Sequence, residues 1–307
     1  MSLLTVGTVA FDSIETPFGK ADRVVGGACT YISIAASYFT KDINLVSVVG
    51  DDFPEAELKY MKKRGINLDG LDIKEGEKSF FWAGKYHDNM NQRDTLATEL
   101  NVLADFNPKL PESYKDSKYL MLGNLTPEIQ LKVIKQMKKR PKLIVLDTMN
   151  FWMDIAMPAL KKVIKHVDVI TINDEEARQL SGEYSLVKAA KVIQKMGPKY
   201  LVIKKGEHGA LLFSGEKMFY APALPLAEVF DPTGAGDTFA GGFIGYIAKT
   251  GNTSFENMKR AVIYGSAMAS FCVEEFSIGK LKKLNARTIN ARVKKFSSLV
   301  NFDMKNK

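Results

Sequence analysis

The amino-acid sequence predicts an α/β fold in which a doubly wound, mostly parallel sheet is flanked by helices. Short apolar runs rich in branched residues alternate along the middle of the chain with segments whose apolar residues recur every three or four positions. The runs are apolar throughout, as strands buried on both faces are, and this alternation is typical of a parallel sheet covered by helices. Such sheets bind ligands beyond the carboxyl ends of their strands, so we expect functional residues directly after the strands.

The predicted elements follow in chain order. Residues 1–6 are mostly apolar and lack the basic segment that opens a signal peptide, so they are predicted as the first strand. Four central strands are expected over residues 119–122, 143–146, 167–171 and 200–203. Helical spacing fills the intervals between these strands. Three more helices are expected over residues 238–249, 255–273 and 286–299.

Two segments depart from this alternation. Residues 12–25 are extended and marked by Gly and Pro, and residues 78–86 are aromatic and β-prone, with a polar loop after them. We predict strands outside the main sheet here, forming a small lid built from about 12–25 and 76–100. The aromatic side chains could stack on a sugar or base, or could equally fill a half-buried lid strand; they are Phe80, Phe81, Trp82 and Tyr86. No repeat divides the chain, so residues 1–307 are predicted to form a single domain.

Composition excludes several classes of protein. The chain has 307 residues, 46% of them hydrophobic, which excludes a disordered chain and a disulfide-stapled miniprotein. No apolar stretch is long enough for a membrane helix, and the two cysteines lie far apart, so we expect a cytoplasmic protein without a membrane partner. Lysine and arginine exceed aspartate and glutamate by 43 to 35, a net charge of +8. The densest basic groups end predicted helices, where cations are favourable, so no nucleic-acid partner is predicted.

The strongest local pattern is the segment DPTGAGDTFAGGF at residues 231–243. Gly234, Ala235 and Gly236 allow a tight turn without bulky side chains, and a helix is predicted to begin there. The first amides of a helix point outward and bind anions, and Asp237 would lie at the same place. An acid at a helix start also caps the helix, and for Asp237 alone that interpretation is equally good. The glycines favour the anion site, because a simple cap does not need them.

This arrangement suits phosphoryl transfer. Transfer depends mainly on positioning and on stabilising charge on the moving group, with an acidic residue accepting the alcohol proton. The amides of Gly234, Ala235 and Gly236 would form the anion hole, and Asp237 would orient and deprotonate the hydroxyl. The sequence lacks the GxxxxGK[ST], GxSxG and HExxH patterns, which disfavours a P-loop NTPase, a serine hydrolase of that type and a zincin.

The same segment closely resembles the C-terminal motif of the ribokinase-like (PfkB-type) carbohydrate kinases, a family that includes nucleoside kinases. The resemblance covers residues 3–300 and implies a ribokinase-like fold with a β-lid, an enzyme that uses ATP and Mg²⁺, and a sugar-like alcohol as acceptor. A nucleoside kinase of the adenosine type is the alternative. A noncatalytic nucleotide-binding regulator is disfavoured, because Asp237 and the glycines are intact. The family also leaves open a homodimer formed through the lid.

Further residues are assigned by this resemblance. Gly26 and Gly27 match the Gly-Gly turn that binds the sugar, and Asp12 matches the acid that holds substrate hydroxyls. Asn173 and Glu176 match the N-x-x-E motif that organises Mg²⁺ and phosphate, often through water. A helix cap with a capping box is the structural alternative for that pair.

Lys204 and Gly206 are expected to border the nucleotide. Asn124, at a predicted strand end, is expected to contact substrate, with helix capping before Thr126 as the alternative. Asp231 and Thr233 lie where some family members bind K⁺, which leaves a K⁺ site open.

Two positions depart from the family pattern. Tyr31 replaces an Asn that is common five positions after the first Gly of the Gly-Gly turn, so ribokinase itself is disfavoured. Its ring could instead stack on a base, which favours the nucleoside alternative. Lys204 replaces a common Thr and could reach a phosphate or be solvated.

Overall fold

A nine-stranded sheet forms the centre of the computed structural model, which describes residues 1–301. Its strand order is β13-β12-β11-β10-β9-β8-β1-β4-β5. The strands are β1 (Leu3–Val6), β4 (Ile43–Gly50), β5 (Ile66–Lys74), β8 (Tyr119–Leu122), β9 (Leu143–Asp147), β10 (Val169–Asn173), β11 (Tyr200–Lys204), β12 (Ala210–Ser214) and β13 (Lys217–Ala221). All neighbours from β11 to β5 pair in parallel, whereas β12 and β13 extend the sheet antiparallel.

Helices cover both faces of this sheet. One face packs against α1 (Ala28–Ala36), α2 (Glu55–Lys63), α8 (Ala235–Thr250), α9 (Phe255–Cys272), α10 (Gly279–Lys282) and α11 (Ala286–Val300). The other packs against α3 (Pro127–Gln136), α4 (Asn150–Ile155), α5 (Met157–Ile164), α6 (Asp174–Ser181) and α7 (Leu186–Lys195). The central strands are buried on both faces, which explains their unbroken apolar composition. This confirms the predicted α/β fold.

A second sheet of four strands has the order β3-β2-β6-β7. It consists of β2 (Ala10–Thr16), β3 (Gly19–Gly26), β6 (Phe81–Tyr86) and β7 (Arg93–Glu99). These ranges fall within or close to the two segments expected to form a lid, and β7 begins inside the segment taken from the sequence as a polar loop. That the sheet moves as a lid, and that the chain is one domain, stay predictions.

The three C-terminal helices predicted from periodicity are present within a few residues of their expected bounds. Four strands of the main sheet, β4, β5, β12 and β13, have no counterpart among the predictions. No helix formed by residues 1–301 combines the length and apolar character that a membrane crossing requires.

Candidate active site

The loop before α8 forms the centre of the site. Gly234 has a φ of 72°, a left-handed conformation that suits glycine, and its carbonyl accepts the first helical hydrogen bond, from the N–H of Thr238 at 2.8 Å. The N–H of Ala235 instead donates to the carbonyl of Pro232 at 3.2 Å. Within residues 1–301, the N–H groups of Gly234, Gly236 and Asp237 have no acceptor. The anion hole at Gly234, Ala235 and Gly236 stays a prediction: the Ala235 amide closes the turn, and its neighbours in the described chain carry the amides without an acceptor.

Asp237 lies in the first turn of α8, next to these amides. Removal from water and the charge of Asp147 together raise the pKa of its carboxyl to about 7. The positive charges of Lys204 and Arg93 oppose this shift. A carboxylate with a pKa near neutrality is well suited to accept and return a proton.

The ammonium of Lys204 lies beside the glycine loop. A β-carbon added to Gly236 would stand 3.1 Å from Lys204 Nζ, and Nζ donates to Asp147 Oδ2 at 3.1 Å. Burial lowers the pKa of Lys204, but the carboxylates of Asp147, Glu176 and Asp237 outweigh it and hold the pKa above its ordinary value. Lys204 is therefore a charged group of the site. It pairs with Asp147 and is not simply solvated, and its contact with a phosphate stays a prediction.

Asp147 is a site residue that sequence reasoning missed. It ends β9, Asn173 ends the neighbouring β10 and Lys204 ends β11, so three parallel strands deliver three polar side chains to one edge. The signal was present in the sequence, because an acidic residue directly follows the apolar run 143–146.

Asn173 and Glu176 form a complete capping box at the start of α6. The N–H of Glu176 donates to Asn173 Oδ1 at 2.7 Å, and the N–H of Asn173 donates to Glu176 Oε2 at 2.8 Å. Glu176 is 8% exposed, and burial raises the pKa of its carboxyl to about 7 against the opposing charge of Lys204. The structural alternative is thus present, and it also aims the Glu176 carboxylate into the cluster around Lys204.

Asp12, Gly26 and Gly27 come together near the glycine loop. A β-carbon on Gly26 would overlap the carboxylate of Asp12, so this glycine makes room for the acid. Gly27 precedes α1 with a φ of 89°, and a β-carbon there would stand 2.6 Å from the carbonyl of Thr8. Asp12 is 5% exposed, and burial raises the pKa of its carboxyl to about 7, with further contributions from the charges of Asp231 and Asp237.

Tyr31 does not have the position that its stacking role would require. It is 1% exposed, and its ring lies against Gly234 so closely that a β-carbon there would overlap it. The prediction that Tyr31 stacks on a base is therefore wrong: the ring supports the glycine loop from within.

Asn124 also has protein partners. Its Oδ1 accepts from Trp152 Nε1 at 2.8 Å and its Nδ2 lies 3.0 Å from Met149 Sδ. Its substrate contact gains no support from this geometry, and it does not cap α3, whose N-cap residue is Thr126.

A cavity of about 530 Å³ opens from the glycine loop, within the range of small-molecule sites. Lys204, Gly206 and Gly236 line it, together with apolar residues that include Leu224, Val229, Ala269 and Val273. The two residues expected to border a nucleotide, Lys204 and Gly206, thus line the same cavity. Residues 89–91 of the small sheet's β6–β7 loop line the same cavity.

The small sheet presents one face to the site. Trp82 pairs with Asp12 across β6 and β2, so both side chains leave the sheet on the same side. A β-carbon on Gly84 would overlap the indole, so Gly84 provides the space that the ring occupies. Trp82 Nε1 lies 3.3 Å from Thr95 Oγ1, and the guanidinium of Arg93 lies 5.9 Å from the centre of the ring. Farther along β6, the hydroxyl of Thr233 donates to the hydroxyl of Tyr86 at 3.2 Å, which joins this face to the glycine loop.

The sheet topology, the free amides of the glycine loop and the cavity bounded by Lys204 define a small-molecule kinase with the ribokinase-like fold. Comparison with known proteins makes this more particular. The model of the pfkB family carbohydrate kinases matches residues 11–283, and the chain belongs to this family. It is therefore a kinase, as predicted.

Individual relatives agree with this assignment. The chain is 30% identical over 248 residues to a cytidine kinase of Thermococcus kodakarensis, an alignment covering 80% of this chain and 87% of the relative. The structure of a nucleoside kinase from Methanocaldococcus jannaschii is similar with a TM-score of 0.75 at 22% identity, covering 96% and 99% of the two chains. An Escherichia coli protein described as a ribokinase II in complex with ATP and Mg²⁺ gives a TM-score of 0.76 at 18% identity, covering 96% and 99%.

Proposed function

We propose that this protein transfers the γ-phosphate of ATP to a hydroxyl group of a nucleoside. One observation carries the proposal: Asp237 directly follows Gly236, which lines the 530 Å³ cavity, and its charge raises the pKa of the buried Asp12 carboxyl. A nucleotide in the cavity would direct its terminal phosphate at the free amides, and an alcohol held by Asp12 would approach from the other side.

The reaction follows from this placement. The oxygen of the acceptor forms a bond to the γ-phosphorus while the bond from phosphorus to the bridging β,γ-oxygen breaks, and the electron pair leaves on ADP. The proton of the alcohol passes to the carboxylate of Asp237. The amides of Gly234 and Gly236 and the ammonium of Lys204 stabilise the negative charge on the transferring group. Asp12 orients the acceptor by accepting hydrogen bonds from its hydroxyls.

Mg²⁺ fits the residues present. Glu176 Oε2 is held by the capping box, and no donor among residues 1–301 bonds to Oε1, which leaves that oxygen for a metal or its water. Among residues 1–301, no three His, Cys, Asp or Glu side chains are grouped so that they could hold a metal ion. Mg²⁺ is often held by one or two carboxylates together with phosphates and water. When bound, Mg²⁺ would neutralise charge on the phosphates; Glu176 and Asn173 are the residues proposed to hold it.

The small sheet favours a nucleoside over a free sugar. Trp82 offers a flat indole surface on the same side of the sheet as Asp12, and Gly84 provides the space for that orientation. A planar base stacks well on such a ring, whereas a free pentose would leave much of it uncovered. The cytidine kinase and nucleoside kinase relatives support the same choice. A ribose-like sugar is the second candidate, because Asp12 and the Gly-Gly turn would bind its hydroxyls equally well.

The surroundings of Asp231 bear on the K⁺ site. Both carboxylate oxygens of Asp231 accept backbone N–H groups, from Thr233 at 2.8 Å and from Ser277 at 3.0 Å. Each oxygen keeps a free lone pair, so a K⁺ site near Asp231 and Thr233 stays a prediction, which a comparison of rates in potassium and sodium chloride tests.

A homodimer formed through the small sheet is a separate proposal. Leu96 and Leu100 are exposed apolar side chains that a second copy would cover. Sedimentation of the wild-type protein tests whether it forms a dimer.

The substrate class is tested by measuring ADP release with ATP, Mg²⁺ and a panel of nucleosides, pentoses, hexoses and sugar phosphates. We expect the highest kcat/KM with a nucleoside. A pentose preferred over every nucleoside would support the second candidate. No phosphorylated product with any acceptor, despite ATP binding by calorimetry, would contradict the kinase mechanism.

A further inference from the structure

The buried Asp147 lies behind Lys204, and its role rests on the proposed function. We propose that Asp147 is a positioning residue, which holds the ammonium of Lys204 at the glycine loop and keeps it from pairing with the base, Asp237. Asp147 itself does not line the cavity and is only 4% exposed. It therefore acts on the reaction through Lys204.

The carboxylate of Asp147 engages Lys204 with both of its oxygens. Lys204 Nζ lies 3.3 Å from Oδ1 and 3.1 Å from Oδ2, and a β-carbon on Gly236 would stand 3.1 Å from the same nitrogen. The ammonium therefore lies between Asp147 and the glycine loop. Because an ammonium has three N–H groups, at least one remains for a phosphoryl group beside Gly236.

Asp147 is itself held in place at the end of β9. The N–H of Thr148 donates to Asp147 Oδ1 at 3.0 Å. From α3, the buried side chain of Gln130 donates through Nε2 to the carbonyl of Asp147 at 3.3 Å and to that of Gly123 at 2.9 Å. A lysine ammonium, in contrast, sits on a flexible stem, so its position depends on the partner that restrains it.

Two other carboxylates compete for the same ammonium. The charges of Glu176 and Asp237 both act on Lys204, yet among residues 1–301 Asp147 is the only carboxylate within 4.0 Å of Nζ. An ammonium bonded to Asp237 would occupy the oxygen that receives the alcohol proton, and one bonded to Glu176 would occupy the oxygen proposed for Mg²⁺. A buried ion pair is a poor source of stability, because both charges lose their water. Keeping the other two carboxylates free explains its presence here.

The test is a double-mutant cycle with Asp147→Asn, Lys204→Gln and the variant that carries both, using ATP and the acceptor that the wild type prefers. We expect Lys204→Gln to lower kcat about 100-fold, as loss of one donor to a transition-state charge does. Asp147→Asn should lower kcat about 10-fold, because a misplaced ammonium keeps only part of its effect. Loss of a negative charge alone would favour the phosphoryl group, so a fall in kcat indicates displacement. In the Lys204→Gln background, Asp147→Asn should lower kcat no further.

Binding of ATP is a second readout, and it needs no acceptor. Measured by calorimetry, Asp147→Asn should weaken ATP binding about 3-fold when Lys204 is present and should not weaken it in the Lys204→Gln background. Asp147→Glu keeps the charge but displaces the ammonium, so it gives the same decision if the asparagine variant does not fold. Asp168→Asn is the matched control, because Asp168 pairs with Arg140 before β10, at the opposite edge of the sheet, and this variant should equal the wild type.

The cycle separates positioning from a structural role, since a structural defect would lower kcat in both backgrounds. An unchanged or higher kcat in Asp147→Asn, or an equal loss in both backgrounds, would overturn the proposal. Failure of the wild type to phosphorylate any acceptor would instead contradict the proposed function, and the ATP affinities would still decide the role of Asp147.

Discussion

The ring of Tyr31 lies directly under Gly234, where any side chain would overlap it. The contact joins α1, which follows the Gly-Gly turn, to the loop that carries the free amides of the site. Its hydroxyl is buried and, within residues 1–301, has no hydrogen-bond partner. The ring, and not the hydroxyl, is therefore the part of Tyr31 that supports the loop.

Two substitutions at Tyr31 distinguish ring from hydroxyl. Tyr31→Phe should keep kcat and change the free energy of unfolding by less than about 1 kcal/mol, because the lost hydroxyl made no hydrogen bond. Tyr31→Ala should lower the free energy of unfolding by about 3–5 kcal/mol, as loss of a buried aromatic ring does, and should also lower kcat. Urea unfolding and initial rates measure both. A large loss of activity in Tyr31→Phe would show that the hydroxyl acts in the reaction.

The sequence was sufficient for the fold and for the loop at residues 234–237, since both depend on local pattern. Apolar runs identify buried strands, and glycines before a helix identify a tight turn at the helix start. It was insufficient for Tyr31 and Asp147, whose roles depend on which elements pack together. The sequence around Tyr31 does not distinguish a ring buried against the glycine loop from an exposed ring that stacks on a base. Asp147 gains its role through its hydrogen bond with Lys204, 57 positions later in the chain.

Removal of the proposed base should abolish most turnover. Asp237→Asn should lower kcat at least about 100-fold, because the alcohol proton loses its acceptor, while ATP still binds to the cavity and amides. Initial rates and calorimetry with ATP measure the two effects. Asp154→Asn is the matched control, because Asp154 bonds to Gln179 on the surface, far along the chain from the loop. Near-normal turnover in Asp237→Asn would rule out this residue as the base.

The same carboxyl group should make stability depend on pH. Its pKa is about 7 in the folded protein against an ordinary value of 3.8. Between these values the folded chain retains a proton that the unfolded chain has lost, so this group lowers stability as pH rises. Asp237→Asn removes the effect and should raise Tm at pH 8, with the gain shrinking as pH falls through 7 toward 4. Melting curves at several pH values measure it, and an equal gain at all of them would contradict the assignment.

Gly84 should control acceptor affinity through Trp82. Gly84→Ala would displace the indole, because the added β-carbon would overlap it. We therefore expect the KM for a nucleoside to rise about 10-fold, the cost of one lost stacking contact. The KM for ATP should not change. Steady-state kinetics with each substrate varied in turn measures both. Gly279→Ala is the control for glycine replacement, because Gly279 has no positive φ and a β-carbon there would meet only the flexible side chain of Glu275. An unaltered nucleoside KM would remove Trp82 from the acceptor site.

Glu176 offers a variant that separates capping from metal binding. Glutamine can complete a capping box as glutamate does, so Glu176→Gln should leave Tm nearly unchanged. It removes the negative charge, however, so we expect a higher Mg²⁺ concentration for half-maximal rate. Titration of Mg²⁺ at fixed ATP measures the shift, and Glu176→Ala should lose both properties. An unchanged titration in Glu176→Gln would leave this residue a helix cap only.

Asn91 Oδ1 lies beside Gly206, so the loop between β6 and β7 borders the cavity proposed to hold the nucleotide, while β2 of the same sheet carries Asp12. If this sheet moves as the predicted lid, one opening would uncover the nucleotide cavity and the acceptor site together. Both reaction products would then leave after the same opening. If that opening limits turnover, kcat should fall in proportion as solvent viscosity rises, whereas a kcat limited by bond breaking should not change.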